Sequence, residues 1–301
     1  MKFLIDAIRG FCMALADSVP GVSGGTIAFI LGFYDKFINS LNDIVFGSKK
    51  EKRVALIFLL RLLIGWAIGL AIASLVLTSL FEKQTYNVSS VFIGFVIFSI
   101  PLIVIEEKKA LKGKYKNLVF LLIGIIIVAL ITYFNPVSGG ENAVDVSNLN
   151  FGLVLYIFFA AMIAISAMVL PGISGSTLLL IFGLYVPIMS AVKDLVHLNF
   201  KGLPILIIYV LGVITGILLI IKLIKLCLKK YRSPTIYLIL GLMIGSIYAI
   251  IMGPVTLDVP QNPMSFETFN IFFFLLGGVI ILGLEKLKNK LEKKIKENKI
   301  N

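Results

Sequence analysis

Apolar runs close to the length of a lipid-spanning helix, two of them broken by proline and glycine, constrain this chain more than any other feature. Residues 54–80, 86–105, 117–134, 203–221, 234–251 and 268–284 each approach the ~20 residues that cross a bilayer core as a helix. Two further stretches, 3–46 and 152–192, are interrupted by DSVPGVSGGTIAF from residue 17 and PGISGSTLLLIFGLY from residue 171. Lipid offers no partner to an unpaired backbone amide, so such a break is tolerated at membrane depth only where protein or a polar cavity receives it. With 59% hydrophobic and 15% charged residues, the chain is predicted to be an all-α polytopic membrane protein.

Asp6 and Arg9 sit where a signal peptide would be apolar, so the amino terminus reads as mature sequence. Cys12 and Cys227 lie far apart with no C-x-x-C and no histidine cluster, which fits packing thiols rather than a disulfide or a metal site. The formal charge of +12 is organised: 21 of the 28 Lys and Arg fall in four clusters, 49–53, 108–116, 222–232 and 286–299. The loops between them, 81–89, 135–150, 193–202 and 252–267, hold only Lys83, Lys193 and Lys201. This positive-inside asymmetry predicts both termini in the cytoplasm, with anionic membrane lipids as neighbours and no nucleic acid as partner.

PGVSGGTIAFILGFY at Pro20 recurs as PGISGSTLLLIFGLY at Pro171, 151 residues later. Over residues 18–43 against 169–194, nine of 26 positions are identical. Gly65 keeps that offset with Gly216, and GFVIFSI from Gly94 matches GLMIGSI from Gly241 at a slightly shorter one. The chain thus reads as two copies of one unit, residues 1–150 and 151–301, integrated in one transmembrane domain. Each copy has a broken helix pair followed by three transmembrane helices, so an odd number of crossings makes the second copy inverted. Inverted repeats with discontinuous helices are the signature of secondary transporters. The first arm, residues 3–17, is about 22 Å long as a helix, which favours re-entrant hairpins over full spans.

The broken segments have the chemistry of an anion site. Pro20 ends the first arm, and glycines allow turn dihedrals closed to other residues. The second arm then starts with exposed amides near Ser23, Gly24, Gly25 and Thr26, and its counterpart near Ser174, Gly175, Ser176 and Thr177. Helix amino termini of this kind suit phosphate, and two of them facing each other would cradle one. Close helix packing around a kink explains the same glycines without a ligand.

The chain resembles the PopT family of bacterial polyprenyl-phosphate transporters, through PGVSGGT and PGISGST at the tips of duplicated membrane hairpins. The resemblance covers nearly the whole chain. It implies translocation of undecaprenyl phosphate across the bacterial cytoplasmic membrane, for recycling of the carrier lipid in cell-envelope synthesis. Ser176 stands where the first copy has Gly25, a small-for-small change.

Buried charge is asymmetric between the copies: Arg9, Asp17 and Arg61 fall where the second has Ala160, Met168 and Gly212. Asp6, Arg9 and Asp17 share an arc of about 80° on one helix. Arg61 and Arg9 are the candidate phosphate ligands, a guanidinium fork suiting a phosphate head, although Arg61 could instead snorkel to the basic surface. Asp6 and Asp17 are the candidates for proton or sodium coupling, and Asp17 is equally suited to capping the second arm.

GVSGG matches a nucleophile-elbow pattern, but no strand-to-helix turn is expected and the single histidine, His197, lies in a charge-poor loop. With no Walker A sequence, no metal cluster and no cofactor motif, the chain reads as a transporter rather than an enzyme. The competing expectations are an ion-coupled transporter or channel for a small soluble anion, and a membrane phosphatase acting on a lipid phosphate.

Overall fold

The computed structural model describes residues 2–17, 23–72, 78–134, 144, 146, 149–173, 175–196, 198–256 and 260–297. Among them the regular structure is all helical. The first broken stretch forms α1 (Lys2–Asp17), α2 (Gly24–Ile30) and α3 (Tyr34–Phe46). Four helices follow: α4 (Lys49–Ile72), α5 (Thr78–Glu106), the short α6 (Lys108–Leu111) and α7 (Leu118–Tyr133). The second broken stretch forms α8 (Phe151–Val169), α9 (Gly175–Ile181) and α10 (Tyr185–Val196). Then come α11 (Leu203–Lys230), α12 (Arg232–Met252) and α13 (Ile271–Glu297).

Six segments are long and apolar enough to cross a membrane: Lys49–Ile72, Gln84–Glu106, Tyr115–Tyr133, Phe151–Val169, Phe200–Lys230 and Arg232–Val255. The chain is a multi-pass membrane protein. The helices differ from the apolar runs at their basic ends. Lys49–Arg53 is the start of α4 rather than a loop, α11 continues to Lys230 so that only Tyr231 precedes α12, and α13 runs on to Glu297. Lys, Arg, Glu and Leu are strong helix formers, so a helix leaving the apolar core keeps its internal hydrogen bonds in the polar region beyond. Lys229 and Lys230 also sit in the last turn of α11, where cations complement the helix dipole.

α12 and α5 are the most buried spans, with 61% and 50% of their apolar windows inside the protein, against 17% for α7. Leu56 and Leu63 of α4, Ile126 and Leu130 of α7, and Val210 and Leu219 of α11 are exposed, as the lipid-facing sides of peripheral helices require.

Glycines bring the helices together by letting backbones touch. Gly65 of α4 lies against the Ala7 carbonyl of α1, and Gly69 against that of Phe11. In α11, Gly212 lies against the Phe158 carbonyl of α8, and Gly216 against that of Met162. Contacts advance together along both helices, so α1 runs parallel to α4 and α8 parallel to α11. α2 with α3, and α9 with α10, therefore return the chain to the level at which α1 and α8 began. The register also corrects one sequence match. Gly65 makes the contact that Gly212 makes and Gly69 the one that Gly216 makes, so α4 and α11 correspond at 147 residues, one turn from the 151 that relates α1 to α8.

The same contacts recur between helices that are far apart in sequence. Gly94 of α5 meets the Phe274 carbonyl of α13, as Gly241 of α12 meets the Leu121 carbonyl of α7. Gly277 meets the Val91 carbonyl, as Gly124 meets that of Leu238. Positions 147 residues apart in α5 and α12, and 153 apart in α7 and α13, thus carry matched contacts. Buried Ser99 and Ser246, also 147 apart, donate to the carbonyls of Val96 and Met243, each at 2.7 Å.

Candidate functional site

Residues 18–22 of the first break lie outside the described residues, and α2 begins after them as a capped helix. Ser23, in extended backbone (φ −130°, ψ 151°), caps α2 through its Oγ, which accepts from Thr26 N at 3.3 Å. Asp17, the last residue of α1, accepts from Gly24 N at 2.6 Å and from Trp66 Nε1 at 3.1 Å. A carboxylate thus already occupies the Gly24 amide, as the dipole at a helix start favours. Every residue of α2 from Gly24 to Ile30 is buried. A Cβ on Gly24 would come within 2.8 Å of the Asp17 carboxylate, and one on Gly25 within 2.9 Å of the Val169 carbonyl.

This first tip is tied to the approach of the second. Thr26 Oγ1 accepts from Gly172 N at 2.8 Å, Ser23 Oγ donates to the Leu170 carbonyl at 3.4 Å, and Tyr34 Oη donates to the Val169 carbonyl at 3.1 Å. Gly172 has φ +91°, a conformation in which glycine is favoured. In the second tip, Gly175 is buried against the Ala164 carbonyl and Met168, the residue matching Asp17, while Thr177 is half-buried. Ser174 and the side chain of Ser176 lie outside the described residues.

Three cations converge on one carboxylate nearer the start of α1. Asp6, 5% exposed, lies 3.4 Å from Arg9 Nη1, 3.4 Å from Lys36 Nζ and 3.8 Å from Arg61 Nη1. Arg9 stacks over the Phe33 ring at 4.9 Å and Lys36 over Phe58 at 3.6 Å, contacts in which the ring faces attract the cations. Arg9, Lys36 and Arg61 against Asp6 leave two net positive charges on α1, α3 and α4. Arg61 at 3.8 Å is an ion pair without a hydrogen bond, and each cation keeps donors that Asp6 does not take. The arrangement can bind an anion of two charges through several N–H groups.

Arg9 and Arg61 therefore meet through Asp6, while Asp17 stands apart with Trp66 and Gly24. Eight residues of helix separate Arg9 from Asp17, about 12 Å, so the cation cluster and the tip form two stations along α1. Lys36, Trp66 and Tyr34 are the partners that sequence reasoning missed. Elimination could have found Lys36: outside the four basic clusters, the charge-poor loops and Lys2, the basic residues left are Arg9, Lys36 and Arg61. Trp66 is the single tryptophan, set in an apolar run where nothing signals its partner.

A second ionic group links α3 to helices late in the chain. Arg232 pairs with Asp35 at 2.9 Å and with Glu107, and Lys225 pairs with Asp43 at 3.3 Å. Asp35, Ile38, Asn39, Lys225, Leu228, Lys229 and Arg232 line a cavity of about 190 Å³ there. Asp35, Asp43 and Glu107 balance Lys225, Lys229 and Arg232 there, so this group lacks the excess positive charge of the Asp6 cluster.

Comparison with known proteins places the chain in a family. Residues 13–268 match the model of the VCA0040-like family, described as undecaprenyl phosphate translocase-like. The chain is 33% identical over 283 residues to the polyprenyl-phosphate transporter of Staphylococcus aureus, covering 94% of this chain and 96% of that protein. It is 30% identical over 325 residues to the polyprenyl-phosphate transporter of Vibrio cholerae, covering 96% and 98%. No solved structure matches the chain. With the match spanning most of its length, the chain belongs to the undecaprenyl phosphate translocase-like family.

Proposed function

We propose that this protein is a transporter that moves undecaprenyl phosphate between the leaflets of the bacterial cytoplasmic membrane, returning the carrier lipid for cell-envelope synthesis. The observation that carries the reading is the Asp6 cluster, where Arg9, Lys36 and Arg61 outnumber a single carboxylate and keep unspent donors. The names of the two relatives supply the polyprenyl tail. The phosphate head engages Arg9 and Arg61 first and then passes to the hairpin tips at Ser23, Gly24, Gly25 and Thr26, and at Ser174, Gly175, Ser176 and Thr177, while the tail stays in lipid. At the first tip the head competes with the Asp17 carboxylate for the Gly24 amide. Asp6 and Asp17 are the groups through which a proton or sodium gradient acts.

The architecture that serves this cycle is a pair of inverted repeats, residues 1–150 and 151–301, each with a re-entrant hairpin and three spans, and with both termini in the cytoplasm. The reading is supported by the matched glycine contacts of α5 with α13 and α12 with α7, and by the parallel pairing of α1 with α4 and α8 with α11. Such repeats exchange conformations to expose a midplane site alternately to each side.

Reconstitution in liposomes tests the reading. Labelled undecaprenyl phosphate is expected to change leaflets only when the protein is present, at a rate that responds to an imposed proton or sodium gradient. Uptake of inorganic phosphate without lipid movement would replace the reading with a soluble-anion transporter. Release of free phosphate from the lipid would replace it with a phosphatase.

A further inference from the structure

We infer that Asp6 sets which phosphorylated lipid the site accepts, by limiting the cluster to a charge that suits an isoprenyl monophosphate and not an isoprenyl diphosphate. The inference rests on the phosphate-lipid reading above.

The argument begins with charge balance. Arg9, Lys36 and Arg61 contribute three positive charges from three helices, and Asp6 lies within 3.4–3.8 Å of all of them. A phosphate monoester carries about −1.5 to −2 at neutral pH, which brings the site close to neutrality. A diphosphate monoester adds about one further negative charge, left uncompensated beside the buried Asp6 and the largely buried Arg9, with Lys36 half exposed and Arg61 one-third exposed at the rim. Asp6 also does more than hold the cations in place. At distances of 3.4 Å or more it satisfies them poorly as hydrogen-bond acceptor, so its charge is retained while most donors stay available to a ligand. Phe33 and Phe58 hold Arg9 and Lys36 against their ring faces, so charge rather than rearrangement decides the fit.

Removing the Asp6 charge without changing its shape should invert the preference, since three net positive charges suit the diphosphate better. The test measures binding of farnesyl phosphate and farnesyl diphosphate, which share one tail, to the purified full chain in nanodiscs. Wild type is expected to favour the monophosphate, and Asp6→Asn to move the ratio of the two dissociation constants at least tenfold toward the diphosphate, about 1.4 kcal/mol. Asp6→Glu, which restores the charge, should keep the wild-type order. Lys36→Gln, at a side chain half exposed, should move the ratio the opposite way, so the inference stays testable even where Asp6→Asn does not fold. Binding of neither probe by folded wild type would remove the phosphate-lipid reading beneath the inference. Normal monophosphate binding with an unchanged ratio in Asp6→Asn, or in Lys36→Gln, would leave that reading standing and overturn the inference.

Discussion

Replacing Thr26 by valine tests the tie between the two hairpin tips. Thr26 is 1% exposed, and its Oγ1 is the acceptor for the Gly172 amide at 2.8 Å. Valine keeps the β-branched shape, so no cavity opens and the cost is polar. It comes mainly from the stranded Gly172 N–H, about 1–3 kcal/mol for a buried donor left without a partner, with the 3.0 Å hydrogen bond between the Thr26 and Ser23 hydroxyls lost as well. The helix cap itself should survive, because Thr26 N also donates to the Ser23 carbonyl at 2.9 Å. Against the 5–15 kcal/mol that typically holds a domain folded, the loss is measurable. Thermal or denaturant unfolding in detergent should show Thr26→Val destabilised by about 1–3 kcal/mol and Thr26→Ser close to wild type. Hydrogen exchange should be faster in the peptide carrying Gly172. A Thr26→Val protein with wild-type stability and unchanged exchange there would refute the tie.

Arg61→Ala should abolish lipid transport while protein level and fold persist, and Arg61→Lys should rescue only in part because a point charge lacks the planar fork. Gly94→Val and Gly241→Val should destabilise the protein to similar extents, since each forces a side chain onto the backbone of a facing helix, at Phe274 and Leu121. Gly113→Ala, with nothing within 4 Å but φ +77°, should cost only the backbone term of about 1–2 kcal/mol, read in the same unfolding assay. Cysteines placed at Asn262 and at Lys112, on the exposed ends of the bundle, should label from outside and only after permeabilisation respectively; external labelling at Lys112 would reverse the orientation.

Most of the fold was legible because lipid imposes so few solutions. The apolar runs mark α4, α5, α7, α11, α12 and the apolar start of α13, and proline and glycine mark the break between α1 and α2. The helix ends were less legible, since the clusters at 49–53 and 222–232 were expected as loops, yet their residues are good helix formers and all but Tyr231 belong to α4, α11 and α12. The slip from 151 to 147 residues in α4 and α11 was hidden for a related reason. Gly65, Gly69, Gly212 and Gly216 repeat every fourth residue, so a one-turn shift still aligns glycine with glycine. At the site, helical spacing placed Asp6, Arg9 and Asp17 on one face but could not divide them between two stations. That division depends on Arg61 and Lys36 reaching Asp6 from α4 and α3, and on Trp66 reaching Asp17. Those are tertiary contacts without a local pattern.

The most direct test of the account is the affinity of the purified protein for a polyprenyl monophosphate before and after the cluster is neutralised. Arg9→Gln, Lys36→Gln and Arg61→Gln, combined with Asp6→Asn so that no carboxylate is left unpaired, should leave a folded protein that binds the lipid at least a hundredfold more weakly than wild type. Undiminished binding by that folded variant would contradict the claim that this cluster holds the phosphate.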